Sequence, residues 1–155
     1  VIDYVSFFEK AYLVFTVPRF SYSYRQQQNN PKKVYSIDNG FSSNNSVSFS
    51  KDMGRMLENA VFLELRRKYR DIYYFKEKHE CDFVVKENEK ITKVIQVCSD
   101  FNEYTKEREL AGLLAALKEF NLREGVILTP NQNDRLLIDG KLIIVKPAWE
   151  WMTER

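Results

Sequence analysis

Residues 79–101, HECDFVVKENEKITKVIQVCSDF, constrain the fold more than any other part of the chain. Two apolar stretches, 81–86 and 92–98, are separated by a polar turn too short for anything but an antiparallel return. A third strand candidate, 71–76, precedes them across an equally short link, so the three form a meander. Segments of helical period bracket it. In 51–69 the apolar positions Met56, Leu57, Ala60, Val61 and Leu65 share a helix face, and Ser50 or Asp52 is placed to cap its start. In 103–121 the stripe is Leu110, Leu113, Leu114 and Leu117, and Leu110, Leu114 and Leu117 are expected to pack over a buried core of Val84, Ile95, Val97, Val126, Ile127 and Leu128. The run GVILT, closed by Pro130, then has the length and apolarity of a buried strand. Reached through a helix, it is expected beside 92–98 as a parallel neighbour. Asp139-Gly140 between two apolar runs predicts a tight hairpin, and Pro147 is placed to open a last helical turn. The fold class is α/β: a three-layer arrangement in which helices flank a mixed sheet.

The first 50 residues have a different texture. A short helical pattern through Lys10 leads to a strand-like run at 12–17, ended by Pro18. Residues 21–33 are rich in Ser, Gln and Asn without apolar period and read as a loop, and KVYSID as a second strand. Residues 1–50 are thus a lead-in segment and 51–155 the principal domain. The 155 residues carry 24 Lys and Arg against 22 acids, a net charge of +2, which gives no strong polyanion footprint over the whole chain. One histidine excludes a multi-histidine metal centre, and two cysteines exclude a disulfide scaffold or a four-cysteine zinc site. No apolar run reaches the roughly 20 residues that span a bilayer, and no signal peptide is visible, so no membrane association is expected and the compartment is read as cytoplasmic. The chain opens without Met, directly into a patterned segment, as a piece of a longer protein would.

Strand alternation sets Glu80 and Asp82 on one face and Cys81 on the other, with Gln96 and Cys98 sharing a face on the next strand. If Asp82 and Gln96 meet, four polar or soft groups converge. Glu58 lies in the apolar stripe of the first helix, where a carboxylate is costly without a partner or a metal. Oxygen-rich sites of this kind suit Mg²⁺, which polarises a phosphate and lowers the pKa of an attacking water. The metal ligands on this reading are Glu80, Asp82 and Gln96. Lys76 and Lys78, in the turn KEKHE beside His79, are candidate phosphate contacts. Ordinary structural roles compete at every position. Asp82 is also readable as an edge charge or ion-pair partner, Glu58 as the partner of Arg66 or a strand lysine, Cys98 as a small buried apolar residue, and Arg108-Glu109 either as a bridge to the sheet site or as a solvated helix face.

The ordered motifs GRMLENAVFLELRRKY, HECDFVV, VIQVCSDF and ERELAGLLAALKEF, with the lead-in EKAYLVFTVPRFS and KKVYSIDNGF, resemble a family across essentially the whole chain. It is the C-terminal domain of unknown function found in archaeal and bacterial AAA-type ATPases, itself similar to the restriction-endonuclease-like PD-(D/E)XK nuclease fold. The resemblance implies that the lead-in closes a winged-helix-like region behind an N-terminal ATPase domain. It also implies a nuclease motif on Glu58, Asp82, Gln96 and Cys98, with Glu80 as companion acid. QVC stands where the nucleases carry a carboxylate and a lysine, so a degenerate, non-hydrolysing site is expected. The implied role is accessory, binding nucleic acid (DNA in the first instance) or a partner protein. The rival readings are an active Mg²⁺-dependent nuclease, with a lysine such as Lys76 standing in, and a pure protein-interaction module. No GxxxxGK[ST] occurs, so ATP enters only through an ATPase domain outside this chain.

Overall fold

The computed structural model describes residues 2–40 and 49–154. The lead-in comprises α1 (Ile2–Lys10), β1 (Val14–Pro18), α2 (Tyr24–Asn29) and β2 (Lys32–Ser36). The principal domain follows as α3 (Phe49–Lys68), β3 (Asp71–Lys76), β4 (Glu80–Glu87), β5 (Lys90–Val97), α4 (Glu103–Glu119), β6 (Glu124–Thr129), β7 (Asp134–Ile138), β8 (Lys141–Pro147) and α5 (Ala148–Thr153). The six-stranded sheet has the order β3-β4-β5-β6-β8-β7. Strands β3, β4 and β5 form the expected antiparallel meander; β6 is parallel to β5 and β8 parallel to β6, while β7 returns antiparallel to β8. Asp139 (φ 49°) and Gly140 (φ 71°) both occupy left-handed backbone, as a type I′ turn between twisted strands requires.

Helix α4 covers one face of the sheet. Its Leu110, Leu113, Ala116 and Leu117 bury Val84, Val94, Ile127, Ile143 and Val145. The other face is covered by α3, through Val61, Phe62 and Leu65, and by Val17 and Tyr35 of the β1–β2 ribbon, over Ile72, Phe83, Val85, Ile95 and Leu128. This divides the expected core. Of the positions assigned to the α4 layer, only Val84 and Ile127 lie under α4; Ile95 and Leu128 are buried against α3, and Val97 and Val126 are half-buried there. Strand alternation forces the split, since consecutive residues cannot serve one helix. Leu113 and Leu117 are the fully enclosed leucines of α4, whereas Leu114 is half-buried.

One lead-in feature differs from expectation. Residues 24–29 form a helix instead of a loop, because Ser23 accepts a hydrogen bond from the Gln26 amide at its N-terminus and Gln27 ties back to the Ser21 carbonyl. The ribbon is also docked firmly. Phe20 donates its amide to the Tyr74 carbonyl (2.7 Å), and the Tyr74 hydroxyl donates to the Pro31 carbonyl (2.6 Å), so the free edge of β3 is covered. The side chains of Ser50 and Asp52, the expected caps of α3, and most of the polar connection before them lie outside the described residues.

Candidate functional site

The site forms where β4 and β5 separate. Backbone pairing between them ends at Phe83 opposite Ile95, and beyond it side chains continue the ladder. The Asp82 amide donates to Gln96 Oε1 (3.2 Å), and the Val97 amide donates to Asp82 Oδ2 (2.9 Å). A bulge produces this arrangement. Between the pairs Tyr73–Val84 and Phe75–Cys81, β4 spends one residue more than β3, so simple alternation fails across Asp82 and Phe83.

The bulge overturns the expected disposition of the cysteines. Cys81 lies in the α4-side cluster with Val84 and Cys98, rather than on the opposite face from Cys98. Both thiols are free and buried. Burial raises the pKa of each. Cys98 Sγ donates to the Asp100 carbonyl (3.2 Å), so this position of the proposed nuclease motif is withdrawn into packing.

The acids Glu58, Glu80 and Asp82 do meet, and they meet on a residue the sequence reading did not select. Lys33 of β2 places its ammonium 3.1 Å from Glu58 Oε1, 3.0 Å from Glu80 Oε1 and 2.8 Å from Asp82 Oδ1. Tyr35, two residues on and therefore on the same face, donates its hydroxyl to Glu58 Oε1 (2.6 Å) and stacks on Phe62 at 4.4 Å between centroids. The strand is held in register by Asn59, the neighbour of Glu58. Its amide oxygen accepts from the Ser36 N–H (2.8 Å), and its amide nitrogen donates to the Ser36 carbonyl (3.1 Å). Glu58 thus takes the strand-lysine alternative to a pairing with Arg66. The signal for Lys33 and Tyr35 was present in the alternation of KKVYS, but nothing local says which strand face meets the acids.

Burial governs the electrostatics. Burial alone would lower the pKa of Lys33, but Asp82 and Glu58 outweigh it and the ammonium is held charged well above its usual range. Burial raises Asp82 to about 6, Lys33 opposing and Glu58 adding to the rise. Burial also raises the Tyr35 phenol, with the Glu58 carboxylate beside it adding to the effect. At Glu80, burial is overcome by hydrogen bonds from Lys76 and Lys33, and the pKa falls.

A polar pocket of about 340 Å³ adjoins the cluster, lined by Lys76, Lys78, His79, Glu80, Asp82, Gln96, Arg108 and Glu109. Its charges are largely matched within the fold: Lys76 pairs with Glu80 (3.0 Å) and Arg108 with Glu109 (2.6 Å). Gln96 Nε2 donates to the buried Glu109 (2.7 Å), so the Gln96 amide, which also accepts from the Asp82 N–H, is a bridge between β4 and α4. Gly112 makes that approach feasible, since a Cβ there would run into the Glu80 carbonyl. Among the described residues, no group of three or more His, Cys, Asp or Glu side chains is arranged to hold a metal ion. No helix among them is long and apolar enough to cross a membrane.

The chain is 37% identical over 162 residues to the uncharacterized protein MJ1544 of Methanocaldococcus jannaschii, a match covering 97% of the chain and 35% of that protein. The chain thus corresponds to about a third of its relative's length. Residues 53–151, from the first helix of the principal domain to the last, match the model of a domain of unknown function, DUF4143. By this match the chain, with its carboxylate cluster closed by Lys33, belongs to the DUF4143 family.

Proposed function

We propose that this chain is a nuclease-like accessory domain that has exchanged hydrolysis for binding, with nucleic acid as its ligand. The observation that carries the reading is the Lys33 ammonium at 2.8–3.1 Å from Asp82, Glu80 and Glu58. A fixed cation sits among the acids that would otherwise attract Mg²⁺, and a divalent ion has to displace it. Gln96 brings an amide oxygen without charge, and the Cys98 thiol supplies no positive charge for a pentacovalent phosphate. Loss of one such electrostatic donor costs on the order of 10²–10³ in rate. The similarity to about a third of a longer relative supports an accessory role, and the ATPase domain implied by the sequence resemblance is the intramolecular partner on this reading.

A nuclease assay with Mg²⁺ and Mn²⁺, run beside calorimetric metal titration, tests it. The expected result is no cleavage and weak metal uptake, with uptake strengthened in Lys33→Ala. Robust cleavage by the native chain that disappears in Asp82→Ala would overturn the reading and make Lys33 the relocated lysine of an active enzyme. A protein-contact role is the second reading, favoured by the exposed Tyr4, Phe7 and Phe8 of α1 and the adjacent Tyr12.

A further inference from the structure

A larger recess lies toward the other end of β5, on the sheet face shared with α3 and α5. It encloses about 580 Å³. The half-buried Val126 and Ile144 belong to its floor, and Tyr69 and Trp151 to its walls. Its lining carries Lys68, Lys93, Arg123 and Lys146 against Glu124 and Glu154. Lys146 is committed to Glu154 (2.7 Å), and Lys68 pairs with Glu64 (3.1 Å) outside the recess. Among the described residues, Lys93 and Arg123 form no ion pair. The two rings are already used as cation platforms: Lys68 Nζ lies 5.4 Å from the Trp151 ring centroid and Lys93 Nζ 5.6 Å from that of Tyr69.

We infer that this recess binds single-stranded nucleic acid, with bases on Trp151 and Tyr69 and phosphates on Lys93, Arg123 and Lys68. An ammonium over an aromatic face is held only modestly. A base that takes its place on the ring gains stacking and releases the lysine toward the adjacent phosphate, so both halves of a nucleotide are met by one rearrangement. An aromatic platform beside cations is the combination that holds unpaired strands. A duplex keeps its bases stacked internally and offers the rings nothing. The carboxylate pocket is the poorer candidate surface, because Lys33, Lys76 and Arg108 are each matched by an acid. The inference rests on the nucleic-acid reading above and gives it a surface away from Lys33.

The test is fluorescence anisotropy of the full chain with dye-labelled oligothymidylate and oligouridylate, and with a duplex of equal length, over a salt series. The strand should bind more tightly than the duplex. The double variant Lys93→Glu with Arg123→Glu should weaken binding more than tenfold and flatten the log–log salt slope by about 1.4, from about 0.7 per phosphate contact in single strands. Lys118→Glu on α4 should leave binding unchanged. Trp151→Leu should weaken binding roughly tenfold while Trp151→Phe retains most of it, which separates stacking from packing of the α5 helix. No binding, equal binding by the double variant, a preference for duplex, or equal competition by inorganic polyphosphate overturns the inference. Cleavage by the native chain would overturn the non-hydrolytic reading and leave this surface standing; loss of strand binding here leaves the Lys33 argument intact.

Discussion

The two polar regions of this domain handle charge in opposite ways. Near the splayed ends of β4 and β5, each of the main charges has a partner within the fold: Lys33 with three acids, Lys76 with Glu80 and Arg108 with Glu109. Toward the other end of β5, Lys93 and Lys68 rest on aromatic rings and Arg123 is exposed. The first region spends its charge on holding β2, α3, β4 and α4 together. The second leaves part of it for solvent or a ligand. Similar residue types therefore have different consequences when mutated, and the contrast can be measured.

The largest effect belongs to Gly112→Val. Its side chain would meet the Glu80 backbone, which cannot swing aside. A loss of at least ~4 kcal/mol, read as loss of folded protein in denaturant titration, is expected, since the helix must leave the sheet. Leu113→Ala should cost ~2–5 kcal/mol as a buried cavity, and more than Leu114→Ala at the half-buried rim; equal midpoints for the two would break the layer assignment.

Lys33→Met comes next. It leaves Glu58, Glu80 and Asp82 facing one another without their shared cation. The expected cost is ~2–4 kcal/mol, a little under the ~3–5 kcal/mol of a fully buried pair, because the Lys33 side chain keeps 20% exposure. Lys93→Met in the recess should stay within about 0.5 kcal/mol. Comparable losses in chemical denaturation would erase the distinction between the two regions.

The pH dependence sharpens the same point. Asp82 has a folded pKa of about 6, above its ordinary 3.8. Between those values the folded chain holds the proton more strongly than the unfolded chain. Its contribution is therefore full below about pH 4 and is lost as pH rises through 6. Asp82→Asn should remove that fall from the stability–pH curve, whereas Lys93→Met should leave it in place. A curve of unchanged shape in Asp82→Asn would show that the carboxylate is not burdened by burial. Tyr35→Phe should cost ~1.5 kcal/mol, from loss of one hydrogen bond to a charged acceptor, which leaves Lys93→Met as the smallest change.

These contrasts also show what the sequence conveyed. The helix–meander–helix–strand order was legible because each element has its own apolar period and the links are too short for other topologies. The Asp139-Gly140 hairpin was legible because its backbone demands those residue types. Convergence of Glu58, Glu80 and Asp82 was legible as a cost: acids in apolar surroundings need an answer. The answer itself was hidden. Lys33 lies in a lead-in read as separate, and no local rule links a ribbon strand to a helix beyond a polar connection. The bulge at Asp82 and Phe83 leaves no mark in the apolar pattern, so the faces of Cys81 and Cys98 were misassigned. The short α2 was missed because its stability comes from a serine cap and a glutamine tie. The recess has no contiguous motif; its lining comes from α3, β5, β6, β8 and α5 and the segments beside them.

The reach of Lys33 has a consequence for how the molecule assembles. Its three partners lie between 25 and 49 positions further along the chain. Closing a loop of such length is thermodynamically mild, with each doubling adding only ~0.6 kcal/mol. Contacts between distant positions are nonetheless slow to find compared with the turns of a helix. Without the ribbon in place, Glu58 and Asp82 have no cation between them, and Glu80 has only Lys76. Neutralisation therefore accompanies docking: with the ribbon undocked, Glu58 and Asp82 would keep their charge without the cation that the folded chain gives them.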